Sequence, residues 1–232
     1  MNITFTNTYN VSLEGREPYP ASKMLPEWYK SLPSYVGNKK IPDPTNQTSG
    51  TIKRCMPVFD AMTAGYIIPT YVDLYVSKTG AGEMKIQAPS LNPLAFHDII
   101  QAPNYPGVTE QVKQVSKWMN PWSISTPKDY SCLFISPMHH DNLFFNILPG
   151  VVDTDTYTAP VNFPFLFSDP NFIGLIPAGT PLVQVIPFKR ESWEINFGNI
   201  NDLVRQENIT QKIRSVFFDG YKSMFRANKE FK

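Results

Sequence analysis

The run Gly150-Val151-Val152-Asp153-Thr154-Asp155-Thr156-Tyr157 places two carboxylates directly after a short β-branched pair. Asp153 and Asp155 are two positions apart, so on a continuing strand both side chains share one face. Two such carboxylates suit Mg²⁺, which keeps several waters and joins substrate phosphates, or the orientation of a water. The same residues also suit an Asx-turn, in which an aspartate accepts backbone N–H groups. A second constellation is His139-His140-Asp141, which holds two of the chain's three histidines. His-x-Asp with a distant histidine is the facial triad of non-haem iron sites, and His139, Asp141 and His97 are the residues that would supply it. In such sites the distant histidine follows the pair, whereas His97 precedes it, and adjacent histidines on a strand point to opposite faces. The expectation is a polar turn closing a hairpin, with no transition metal held there.

Other chemistries leave little trace. The sequence has no Gly-x-Ser-x-Gly elbow and no glycine-rich phosphate loop with a lysine. The two cysteines, Cys55 and Cys132, are far apart and form no Cys-x-x-Cys pair, so both are expected as buried, reduced thiols. Cys132 lies in an apolar run, which favours an inert thiol. A formal net charge of +1 lacks the basic excess of a nucleic-acid footprint. No stretch approaches the roughly 18 apolar residues of a membrane span. The first residues show no leader pattern, so the expected location is cytoplasmic, in a cell, an infected host or a virion. The sequons at Asn46 and Asn208 are then chance matches.

The elements that would position these residues are mostly strands. Hydrophobic residues make up 42% of the 232, enough for a core, and the 22 prolines and 13% aromatics suggest short strands joined by structured turns. Residues 1–50 read as an arm with a short helix near Met24–Leu32 and a loop over Lys39–Gly50. Having few aliphatics, this arm is expected to wrap over its own domain or a neighbouring subunit. A β domain over residues 51–200 begins near Thr51, with strands at Tyr66–Ile68, Tyr71–Val76 and, after a Gly80-Ala81-Gly82 hairpin turn, Met84–Ile86. Residues 88–107 read as irregular, and Val108, Val112 and Val115 fit a helix face or a bent strand. Further strands follow at Trp122–Ser125, Tyr130–Ser136, Leu143–Leu148, Val151–Val152, Val161–Phe167, Phe172–Ile176 and Leu182–Phe188. Their spacing points to an antiparallel sandwich or barrel. Residues 201–232 read as a helix from about Asn208, capped by Asn208 with Gln211 and docked by Ile213, Phe217 and Met224.

Two resemblances add to this. The Gly150–Tyr157 run resembles the Gly-Val-Ile-Asp-x-Asp-Tyr signature of the dUTPase and dCTP deaminase superfamily. Gly179-Thr180-Pro181-Leu182-Val183-Gln184 resembles that superfamily's later Gly-x-x-Ile-Ala-Gln, and Ala64-Gly65-Tyr66 resembles the start of its first motif. The resemblance implies a β-clip fold, often trimeric. It further implies that Asp153 orients a water, Tyr157 packs on a sugar, and Gln184 and Gly179 lie by a nucleotide. Tyr157 stands one residue late, and Ser136-Pro137-Met138-His139-His140 carries no arginine where the family has its phosphate-meeting Pro-Arg-Ser-Gly. More of the chain, over residues 51–195, resembles an uncharacterised bacterial and tailed-phage domain family. Lys53–Pro57, Pro121–Pro127, Tyr130-Ser131, Gly150–Asp155 and Val161–Phe163 carry it.

The leading expectation is therefore a mainly β, β-clip-like protein of phage type. It would self-associate, with a trimer favoured, as a structural or assembly component of a virion, using no catalysis, cofactor, membrane or specific nucleic acid. The alternative is a nucleotide-binding or nucleoside triphosphate pyrophosphatase or deaminase-like enzyme. That enzyme would use Asp153, Asp155 and Tyr157 with Mg²⁺, and would hold the nucleotide at Gln184 and Gly179.

Overall fold

Runs rich in valine, isoleucine, phenylalanine and tyrosine, cut by proline and glycine, fold as short strands because branched and aromatic side chains pack well on a pleated surface. The computed structural model describes residues 1–9, 12–38, 50–80, 84–89, 92–108, 114–140, 144–216 and 219–232. In chain order its strands are β1 (Thr4–Asn7), β2 (Tyr19–Pro20), β3 (Tyr66–Pro69), β4 (Leu74–Lys78), β5 (Met84–Gln87), β6 (Leu94–Asp98) and β7 (Gln114–Trp118). They continue with β8 (Trp122–Ser125), β9 (Tyr130–Ile135), β10 (Phe145–Ile147), β11 (Gly150–Val152), β12 (Phe163–Phe167), β13 (Gly174–Ile176) and β14 (Pro181–Lys189). The helices are α1 (Glu27–Ser31), α2 (Met56–Thr63), α3 (Ile200–Ser215) and α4 (Gly220–Met224).

The protein is mainly β with antiparallel sheets and few helices. A five-stranded sheet runs β11-β9-β14-β3-β2, a four-stranded sheet β10-β12-β7-β6 and a three-stranded sheet β13-β4-β5, while β1 pairs with β8. The buried core joins the first two and also takes Leu74 and Val76 of β4, Ile176 of β13 and Ile124 of β8. Phe134 of β9 meets Phe163 of β12 with ring centroids 5.5 Å apart, and Phe145 meets Phe165 edge-on at 5.0 Å. Each such side chain taken from water contributes about 2 kcal/mol. Among the described residues no helix is long and apolar enough to cross a membrane.

The described residues among the first 38 wrap over their own domain, one of the two expected partners: β1 pairs with β8 over four positions, β2 joins the five-stranded sheet, and Leu13, Ala21 and Tyr29 are buried. Other expectations change. The short helix is narrower than expected, Glu27–Ser31, with Pro26 as its N-cap. The β pattern does not begin at Thr51, because α2 intervenes; Pro57 fits its first turn, where an N–H has no intrahelical partner anyway. Residues 88–107 contain β6, Val115 lies in a strand, and Tyr71 precedes β4. The loop over residues 39–49, together with Ala81, Gly82 and Val112, lies outside the described residues.

The C-terminal helix differs most. It starts at Ile200, with Asn199 and Asp202 forming the capping box rather than Asn208 and Gln211. It ends near Val216, and Asp219, at φ 62°, separates it from α4. Among the described residues its sustained packing is against α4 and not against a sheet, and Ile213 and Met224 remain exposed. Phe217 lies outside the described residues.

Candidate functional site

The two aspartates sit where three strands end together. Val152 of β11 pairs with Cys132 of β9, which pairs with Pro187 of β14. The chain leaves β11 at Asp153 and turns at once, its carbonyl accepting from the N–H groups of Thr156 and Tyr157 at 3.1 and 2.8 Å. Thr154 is buried beneath the turn, donating to the Cys132 sulfur at 3.3 Å and sharing a 2.8 Å bond with the Thr126 hydroxyl. Burial pushes the Cys132 thiol up, which keeps it protonated. Cys55 is only half-buried.

Both aspartate side chains converge on Arg190, the first residue past β14. Its terminal nitrogens reach the two oxygens of Asp155 at 2.8 and 2.5 Å, a bidentate pair. One of them also lies 3.2 Å from Asp153 Oδ1 and 3.1 Å from Ser131 Oγ, while the Ser131 hydroxyl donates to Asp153 at 2.7 Å. The backbone N–H of Asp129 donates to Asp155 at 2.8 Å, and that of Arg190 to the Asp129 carbonyl at 2.8 Å. The side chain of Asp155 is 5% exposed and that of Asp153 61%. The Arg190 guanidinium holds the Asp155 carboxyl at about 2, well below the carboxylate range, and Arg190 is itself pushed upward, mainly by Asp155. The turn is thus held by the carbonyl of Asp153; its carboxylate bonds Ser131 and Arg190 rather than backbone N–H groups.

The other residues raised by the resemblance lie elsewhere on the sheet. Gln184 is fully buried. Its amide donates to the carbonyls of Ala61 and Ala64 at 2.9 and 2.8 Å and accepts from the Met138 N–H at 2.8 Å. Both of its donors are therefore used within the chain. Gly65, next in line, packs so tightly that an added Cβ would stand 1.9 Å from the Val185 carbonyl oxygen, and its φ is +71°. The stretches Ala64–Tyr66 and Gly179–Gln184 meet here, through a glutamine that ties α2 to β14. Gly179 has φ +87° in the turn before β14 and donates to the Thr70 carbonyl at 2.7 Å. It and Arg190 stand at opposite ends of a nine-residue strand, about 30 Å apart. Tyr157 is half-exposed beside the aspartate turn.

His139 stands in a turn after β9, at φ 60°, and its carbonyl accepts from the Trp28 ring N–H at 2.8 Å. That turn leads from the five-stranded sheet to β10 of the four-stranded one, so it closes no hairpin. His97 lies on β6, its Nδ1 2.8 Å from Gln101 Oε1. Asp141 lies outside the described residues. Among the described residues no three His, Cys, Asp or Glu are grouped to hold a metal.

Past the Arg190 clamp, residues 191–199 run extended, and among the described residues the backbone of 191–198 makes no hydrogen bond. Trp193, Ile195 and Phe197 occupy every second position, the spacing that puts side chains on one face of an extended chain, and are 86%, 83% and 90% exposed. Ile200, Leu203 and Val204 of α3 are exposed behind them. The tail then returns to its own domain: Arg226 and Lys229 pair with Asp60 of α2 at 2.7 and 2.9 Å, and Arg54 pairs with Asp219 at 2.6 Å. Arg190 and this segment are what the sequence reading missed. The signal for the segment is the strict apolar–polar alternation of Trp193-Glu194-Ile195-Asn196-Phe197. No family model, curated protein or solved structure matches the chain.

Proposed function

We propose that this protein is a self-associating structural or assembly component of the phage type, without catalysis, and that the segment after β14 is what joins its subunits. The observation that carries this reading is the exposure of Trp193, Ile195 and Phe197, two positions apart on a backbone that joins no sheet among the described residues. Leaving three such side chains in water forgoes about 6 kcal/mol, and contiguous exposed apolar surface marks interaction sites. The segment is anchored where it leaves β14, by Arg190 on Asp155, and the chain is anchored again only beyond α3 and α4, by Arg226 on Asp60. The aspartate–arginine cluster then serves as the root of this arm: it fixes the direction in which the chain leaves β14. The phage and virion assignment, and the preference for a trimer, rest on the sequence resemblances.

The nucleotide-processing alternative is less favoured on this geometry. Its phosphate needs cations in line, because positioning and electrostatics supply most of such catalysis. Arg190 is the cation nearest Asp153, and Asp155 already engages it through both terminal nitrogens. Gln184 would have to abandon three internal bonds to reach a ligand. The test pairs two assays on the full chain. Incubation with nucleoside triphosphates and Mg²⁺ should release no pyrophosphate, and mild lysine cross-linking should capture a discrete oligomer. Robust release that is lost in Asp153→Asn would replace this reading with the enzyme.

A further inference from the structure

Resting on that self-association reading, we infer that the arm adds as a strand to the free edge of β13 in a second copy of this chain. β13 ends the three-stranded sheet, and among the described residues no strand pairs with its outer edge. The sheet face beside that edge is apolar: Ile173, just before β13, is 61% exposed, Leu175 48%, and Tyr75 of β4, directly across from Leu175, 50%. An uncovered apolar edge is a template for a further strand. The arm offers the matching half, an extended backbone without partners and three large side chains at the two-residue spacing of a strand face. Strand addition of this kind draws affinity from main-chain bonds and specificity from alternate side chains.

The topology assigns the contact to a second copy. β13 leads through the turn at residues 177–180 into the beginning of β14, whereas the arm leaves from the end of β14. Nine residues of strand, about 30 Å, separate the two. To reach its own β13 the arm would have to double back along the whole length of β14, so the acceptor edge is assigned to another copy. The area suffices for association. Burying a tryptophan, a phenylalanine and an isoleucine removes about 500 Å² from the arm, hence about 1,000 Å² per contact with the surface it covers. Each contact thus stands at about the lower bound of a specific interface, and a reciprocal pair, with two contacts between the same two copies, reaches the standard size. Donor and acceptor are different surfaces, so copies join head to tail and close as a ring or a reciprocal pair.

The test uses two variants of the full chain, each altered only at exposed side chains. The arm variant carries Trp193→Ser, Ile195→Ser and Phe197→Ser; the acceptor variant carries Ile173→Asp and Leu175→Asp. Each alone should sediment as a single chain where the wild type is associated. An equimolar mixture should form a heterodimer, since one partner retains the arm and the other the edge. A wild-type oligomer that either variant leaves intact overturns this inference while sparing self-association. A wild type that is monomeric overturns both. Should the acceptor variant misfold, a chain carrying Cys55→Ser, Ile195→Cys and Leu175→Cys should give an intermolecular disulfide ladder on oxidation, absent when either Ile195→Cys or Leu175→Cys is left out. No ladder from a wild-type-sized oligomer rejects the pairing.

Discussion

Arg190 holds both oxygens of Asp155, at 2.8 and 2.5 Å, across thirty-five positions of sequence. The pair ties the end of β14 to the turn after β11, and its charge state is set by pH. Asp155 titrates at about 2 when folded, below the ordinary aspartate value of about 3.9. Its stabilisation is therefore complete above the ordinary value and is lost as pH falls toward the folded one. Asp155→Asn should lower the melting temperature by a constant amount from about pH 7 to about pH 5, and that difference should shrink between about pH 4 and about pH 2. Paired melting curves across this range check it; a difference independent of pH would mean the clamp is not ionic.

Gln184 provides a second, independent check. Gln184→Leu keeps the volume but strands the Met138 N–H and the carbonyls of Ala61 and Ala64, so it should cost about 3 kcal/mol in urea unfolding. A variant of unchanged stability that instead loses nucleotide binding would return this residue to the enzyme reading.

Gly65 has no substitute on this backbone. In Gly65→Ala the new Cβ would press on the Val185 carbonyl oxygen at 1.9 Å, at a positive φ that L side chains rarely adopt. Unfolding free energy should fall by about 3 kcal/mol or more, with α2 and β14 losing hydrogen-exchange protection first. A near-neutral result would mean the turn and β14 do not approach this closely.

Much of the sheet was legible because its strands are local signals. Tyr130–Ile135 and Pro181–Lys189 are dense in branched and aromatic residues and bounded by turn formers. What was not legible depends on register. Arg190 looks like any surface cation until β9 and β14 pair and bring the Asp129–Asp155 turns beside it. Gln184 reads as a ligand contact until α2, whose helical pattern is short and begins at a proline, covers it. The helix start was misplaced because Asn208 and Gln211 imitate a capping box inside a helix that Asn199 and Asp202 already open. The alternation from Trp193 to Phe197 announces a strand, but only the assembled sheets reveal that, among the described residues, no strand pairs with it.

The return of the tail also has a readable consequence. Asp60 accepts from Arg226 and Lys229, and the Arg226 hydrogen bond leads the effects that hold its carboxyl below the usual range. Asp60→Asn should free the last residues, raising tryptic cleavage after Arg226 and Lys229 on the order of tenfold under native conditions. Lowering the pH below Asp60's depressed value should loosen the wild-type tail in the same way. Equal cleavage rates in both proteins would mean the tail is not anchored at α2.

The mass of the full chain in solution tests the central claim most directly. Sedimentation equilibrium over a dilution series should give a discrete multiple of 26.4 kDa. That mass should collapse to a single chain when Trp193, Ile195 and Phe197 are all replaced by serine, with the fold unchanged by near-ultraviolet circular dichroism. A wild type that stays at 26.4 kDa at every concentration would contradict the account.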